Sequence, residues 1–156
     1  MEPGDLVVKI NNYKESDAEK WDQLLMHDNQ QQSYEYFRIL GNHTLNNFIN
    51  YYVFVYHDRQ LIATTHCFVD GKFKFHGILS GMCDNLYRLF PIGFKTLFLS
   101  SPISEHNTIN IAPHFTDHQA AIIDAIILKV HDFAKKSKID MIVLKDHLHE
   151  YPSSNI

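Results

Sequence analysis

The sequence predicts a single α/β domain built on a mixed, largely antiparallel sheet with one central parallel β-α-β crossover. Three observations predict it. Phe94 to Ser101 is a nearly continuous apolar run, as expected of a central strand covered on both faces. After a loop comes a long amphipathic stretch from about Asp117 to Ser137, then the β-branched run Ile139 to Leu144. A strand-helix-strand unit of this kind joins two parallel neighbours by a right-handed crossover. Ahead of it, Tyr51 to Tyr56 and Leu61 to Val69 flank the turn His57-Asp58-Arg59-Gln60, which reads as an antiparallel hairpin.

The remaining elements follow in chain order. Leu6-Val7-Val8-Lys9-Ile10 is a short β-rich run stopped by Asn11-Asn12. Ser16-Asp17-Ala18-Glu19 has the form of a capping box opening a helix that carries Ala18, Trp21, Leu24 and Leu25 at helical spacing. Ser33 is placed to cap a second short helix, with Tyr34, Phe37 and Leu40 on one face and Gly41 as its stop. Asp70-Gly71 is a second turn signal, followed by the alternating Lys72-Phe73-Lys74-Phe75. Gly77 to Pro91 is read as a loop with some helix, and Pro102 to Phe115 as a loop. Thr116-Asp117-His118-Gln119 reads as the capping box of the longest helix, which turns Ile122, Ile123, Ile126, Val130 and Phe133 inward. Lys135, Lys136 and Lys138 crowd the last turn, where cations complement the helix dipole.

The 156 residues have the length of one domain and include no internal repeat or interdomain linker. Residues 1–156 are therefore read as one unit with a flexible tail at 146–156. A chain this long buries roughly two thirds of its unfolded surface, so it needs no metal or disulfide staple. The net charge of −4 argues against a nucleic-acid-binding surface, which is normally basic. No apolar run approaches the roughly 20 residues that span a bilayer. Met1 to Asp5 is acidic and polar, unlike a signal peptide. Cytoplasm is the expected compartment. Cys67 and Cys83 lack CxxC spacing and sit beside apolar residues, as reduced buried thiols do. The eleven histidines are scattered, and no metal is expected from them.

The order strand, two short helices, antiparallel meander, central strand, long helix, strand resembles the GNAT N-acyltransferase superfamily. The residues that carry the resemblance are Tyr52 to Val69, Phe94 to Ile103 and Thr116 to Asp146. The run Ala134-Lys135-Lys136-Ser137-Lys138-Ile139-Asp140 ahead of Met141 to Asp146 looks like the FemAB-type branch, which transfers aminoacyl or acyl groups to amines. The resemblance implies acyl or aminoacyl transfer from a small-molecule acyl donor to an amine acceptor, with acyl-CoA or coenzyme A as the donor substrate. It also implies that the donor's pyrophosphate is held at the start of the long helix, at Thr116, Asp117, His118, Gln119 and Ala120. Two departures stand against this. The Q/R-x-x-G-x-G/A loop expected there is replaced by Asn110 to Gln119, a stretch without glycine, lysine or arginine, and Asp117 sets a negative charge where phosphates belong. The family also continues beyond its fifth strand, so the chain reads as a natural half-domain or a truncated one. Its Ile139 to Leu144 strand is then expected to pair with a second copy or a partner chain.

Ligands of α/β sheets bind beyond the carboxyl ends of parallel strands, which directs attention to Pro102 to His118. Ser100, Ser101, Ser104, Glu105, His106, His114 and His118 are the polar residues in and next to it. Acyl transfer to an amine needs a general base, and Glu105 and His106 are the candidates; the alternative is a solvated loop. His66 and Cys67 are adjacent on a strand and point to opposite faces, so they form no dyad by themselves. Asp146-His147-Leu148-His149-Glu150 has metal-ligand residue types but reads as a solvated tail. A non-catalytic interaction domain of the same fold is the rival reading.

Overall fold

The computed structural model describes residues 2, 5–12, 14, 17–24, 33–43, 48–73, 93–99 and 109–144. Their sheet contains β1 (Val7–Asn11), β2 (Phe48–His57), β3 (Gln60–Phe73), β4 (Phe94–Leu99), β5 (Asn110–Ile111) and β6 (Met141–Leu144). Its order is β1-β2-β3-β4-β6, with β5 pairing on β3. Every pairing is antiparallel except β4 with β6, which runs parallel from Thr96 opposite Met141 to Leu99 opposite Leu144. The fold class read from the sequence is therefore the one observed. The crossover helix between β4 and β6 is α3 (Gln119–Lys136).

Side-chain alternation along the strands divides the domain into two layers. On one face Val53, Val55, Cys67, Val69, Leu97 and Leu99 pack against Ile122, Ala125, Ile126 and Val130 of α3. Phe133, expected on the inward stripe, is half-buried and packs against this core with its ring 4.8 Å from that of Tyr51, and Ile123 is half-buried. A bulge between Val55 and Tyr56 leaves Ile62 as the extra residue of β3, so Ile62 and Ala63 both join the α3 layer. The other face carries α1 (Ala18–Asp22) and α2 (Tyr34–His43). Trp21, Tyr34, Phe37, Tyr52 and Phe54 form an aromatic cluster there, each at most 1% exposed.

Local chemistry explains most element ends. Ser33 caps α2 as expected, its Oγ accepting from the Tyr36 N–H at 3.1 Å. Asp22 Oδ1 accepts the Tyr34 N–H at 2.9 Å, which ties the two helices together. Asp58 and Arg59 both adopt positive φ, 49° and 66°, the geometry of a two-residue I′ hairpin turn. At the end of α3, Lys138 is left-handed with φ 52°. The Ile139 N–H reaches the Ala134 carbonyl at 2.9 Å and the Lys138 N–H reaches the Lys135 carbonyl at 3.3 Å, a Schellman stop. The turn is then bolted to β4. The Lys95 N–H donates to Asp140 Oδ2 at 2.8 Å, the Asp140 N–H to the Lys95 carbonyl at 2.8 Å, and Lys95 Nζ to the Ser137 carbonyl at 2.7 Å.

Four expectations are corrected. Asp70-Gly71 does not reverse the chain: β3 runs on to Phe73, and the Asp70 carboxylate takes the Lys72 N–H at 2.8 Å, so the signal becomes a register shift against β4. Gly41 does not stop α2, which continues to His43. The residue at the N-cap of α1 is Asp17 where Ser16 was expected, and its side chain makes no capping bond. The loop expected up to Phe115 contains β5 and the start of a 3₁₀ helix at Pro113–His118. The expected loop and helix over Gly77 to Pro91 and the tail at 146–156 lie outside the described residues.

Candidate functional site

Strands β4 and β5 share one lane along β3. Leu99 faces Cys67 and Asn110 faces Thr64, so the two pairings are separated by Thr65 and His66 on β3 but by residues 100–109 on the other side. β6 accompanies β4 as far as Leu144. Beyond that point the outer edge of β5 is unpaired among the described residues. Ligands of α/β sheets commonly bind beyond the carboxyl end of such a parallel pair.

The start of α3 differs in detail from the sequence reading. Pro113, with its φ fixed and no amide to donate, begins a 3₁₀ helix that takes in Thr116, Asp117 and His118. The α-helix proper begins at Gln119, preceded by His118, which makes no side-chain capping bond. Thr116 does not cap it, because its hydroxyl donates back to the Pro113 carbonyl at 3.0 Å. Thr116, Asp117, His118 and Ala120 are solvent-exposed and Gln119 is half-buried. The amides behind them are partly engaged. Gln119 N–H goes to the Thr116 carbonyl, Phe115 N–H to Ala112 and Ala112 N–H to Ile62, the last two at 2.8 Å. An anion here meets fewer open donors than at a bare helix N-terminus. Glu105 and His106, with Ser100, Ser101 and Ser104, lie outside the described residues, as does the Asp146 to Glu150 cluster. His114 is exposed on the 3₁₀ turn.

The opposite face of the same lane carries polar residues of which the sequence reading weighed only His66. Thr64 stands between Phe54 on β2 and Asn110 on β5. Thr64 Oγ1, Asn110 Nδ2 and Asn50 Oδ1 are buried without a hydrogen-bond partner. His66, two residues along and on the same face, is fully buried and stacks on Phe37 at 4.2 Å with the rings 4° from parallel. The available signal was Thr64-Thr65-His66, a polar run interrupting an otherwise apolar strand.

His66 and Cys67 do point to opposite layers, which rules out a dyad between them. Burial pushes the Cys67 thiol up to about 12. Cys67 should therefore resist alkylation by iodoacetamide at pH 8 in the native protein and react on unfolding; peptide mass spectrometry showing rapid native labelling at Cys67 would contradict its place in the core.

No protein-family model and no curated protein matches the sequence. Solved structures do match. An aminoglycoside acetyltransferase from an uncultured soil metagenomic sample, in complex with trehalose, superposes with a TM-score of 0.54 at 12% identity, covering 94% of this chain and 81% of its own. A GNAT family acetyltransferase of Staphylococcus aureus gives 0.53 at 12% identity, with 97% and 94% covered. AAC(6')-Iy, in complex with the bisubstrate analogue CoA-S-monomethyl-acetylneamine, gives 0.51 at 11% identity, with 92% and 82% covered. This chain has the GNAT acetyltransferase fold. Among the described residues no helix is long and apolar enough to cross a membrane.

Proposed function

We propose that this domain transfers an acyl or aminoacyl group, with an acyl-CoA as donor, to an amine. One observation carries the reading: the parallel β4-α3-β6 unit ends where, among the described residues, the outer edge of β5 is unpaired, the place beside the start of a crossover helix where an α/β sheet takes an extended donor. The similarity to AAC(6')-Iy, solved with a CoA-containing bisubstrate analogue, supports the choice of donor. The donor's phosphates rest at Thr116 to Ala120, stabilised by the positive end of the helix dipole. Glu105 or His106 takes the proton from the attacking amine. The FemAB-like run at Ala134 to Asp140 favours an aminoacyl group as one form of the cargo.

A second reading has its own support. The amides at the start of α3 are partly engaged, and Asp117 repels phosphate there. Both suit a domain that keeps the fold and binds a partner chain, with β6, half-buried and at the sheet edge among the described residues, as the pairing strand.

Isothermal titration with acetyl-CoA, followed by a turnover assay with a simple amine such as spermidine, separates the two. Acetyl-CoA binding together with turnover establishes the first reading. Absence of binding, with light scattering that shows a dimer, establishes the second and removes Thr116 to Ala120 as a donor site.

A further inference from the structure

β1 closes the sheet on one side, and its outer edge is unpaired among the described residues. Alternate residues of such a strand turn their N–H and C=O groups outward, where another strand can take them up. Beside that edge runs an open groove of about 340 Å³, between Leu6 to Val8 on β1 and Ala125, Leu128, Lys129 and Asp132 of α3. Apolar side chains on both walls face solvent: Val7 is 56% exposed and Leu128 62%. Exposed apolar groups gathered at a groove, rather than scattered singly, mark an interaction surface. Lysines commonly guard open edges. Lys9, however, lies on the opposite face of the strand from Val8, with its ammonium 4.9 Å from the centre of the Tyr56 ring, and leaves the groove clear.

The edge is complementary to itself. β1 runs parallel to β3 and against β4, and α3 returns against β4, so β1 and α3 point the same way. A strand rises about 3.3 Å per residue and a helix about 1.5 Å, so one step along β1 matches about two along α3. Val7 is the middle of the strand wall and Leu128-Lys129 the middle of the helix wall, which puts Val8 level with the interval between Lys129 and Asp132. A twofold axis at Val8 sets Val8 opposite the partner's Val8, Leu6 opposite the partner's Ile10 and Val7 opposite the partner's Lys9. The strand face toward α3 is then apolar throughout, and no lysine meets a lysine. The same axis lays the two α3 helices antiparallel, with Lys129 toward the partner's Asp132 and Asp132 toward the partner's Lys129. Among the described residues neither side chain is engaged in an ion pair. We propose that the chain forms a twofold dimer through its β1 edges, closed over the groove by paired α3 helices. The partner is a second copy because a twofold contact brings one patch against itself, and here both the charges and the apolar strand face match their own images. The interface uses neither β6 nor the start of α3, so it holds on either reading of the function.

The test is analytical ultracentrifugation of the full chain and its charge-reversed variants. The wild type is expected to approach twice 18.2 kDa as its concentration rises. Lys129→Asp and Asp132→Lys each set like charges together at both symmetric places, and each should weaken the dimer about tenfold or more. Combining the two in one chain exchanges the charges and restores the dimer. Mixing the two single variants gives a heterodimer, since one presents only acids at these positions and the other only bases. Leu128→Glu should dissociate the dimer, while its monomer melts within about 2 °C of the wild-type monomer because the side chain is exposed. A strict monomer at the highest soluble concentration would overturn the proposal. So would a dimer untouched by Leu128→Glu and the charge reversals, which places the contact at another surface such as β6, or a double variant that associates no better than either single one.

Discussion

Replacing Trp21 with alanine is expected to lower the melting temperature by roughly 10 °C or more. The indole is fully buried and touches four other rings, with centroids 5.5 Å from Tyr34, 6.0 Å from Phe37, 5.6 Å from Tyr52 and 5.5 Å from Phe54. α1 has only five helical residues, far too few to be stable alone, so this one side chain largely attaches it to the sheet. Truncating a buried tryptophan costs about 3–5 kcal/mol, against a total stability of about 5–15 kcal/mol for a typical domain. At 2–4 °C per kcal/mol for a chain of roughly this size, the loss reads as that shift. Trp21→Phe, which keeps a ring, should lose well under half as much. A change below about 2 °C in the alanine variant would show that α1 and α2 do not pack on Tyr52 and Phe54 as described.

Glu105→Gln and His106→Gln are expected to differ sharply in an acyl-transfer assay. Removing a general base typically lowers the rate about 10²- to 10⁴-fold, while a solvated loop residue changes it little. The base acts only when deprotonated, so kcat/KM falls as the pH drops through its pKa. An ordinary glutamate releases its proton at about pH 4.3 and an ordinary histidine at about 6.5. If His106 is the base, the wild-type rate falls between about pH 7 and 5.5 and the Gln variant loses both the rate and that dependence. If Glu105 is the base, the fall comes at lower pH and Glu105→Gln removes it. Two variants within threefold of the wild type would dismiss both residues and leave the acyl-transfer reading without a side-chain base from this pair.

The order of elements and the parallel crossover were legible in the sequence because each rests on local periodicity. Ile122, Ile126 and Val130 recur at helical spacing, Phe94 to Leu99 is apolar but for Lys95 and Thr96, and Ser33 meets the Tyr36 amide by short-range geometry alone. Other features were decided by contacts between residues far apart in the chain. Asp70-Gly71 carries a turn signal, yet pairing of β3 with β4 on one side and β2 on the other holds the strand straight, and the signal becomes a register shift. Asn110 and Ile111 are too few to announce a strand, and they become β5 only because Ala63 and Thr64 present an open edge. Thr116 looked like a cap, but Pro113 starts the helix earlier and redirects its hydroxyl. The Thr64-Asn110 pair could not be read from either residue alone. Their opposition is a matter of register across the sheet, and the absence of a partner for either is a property of the folded interior.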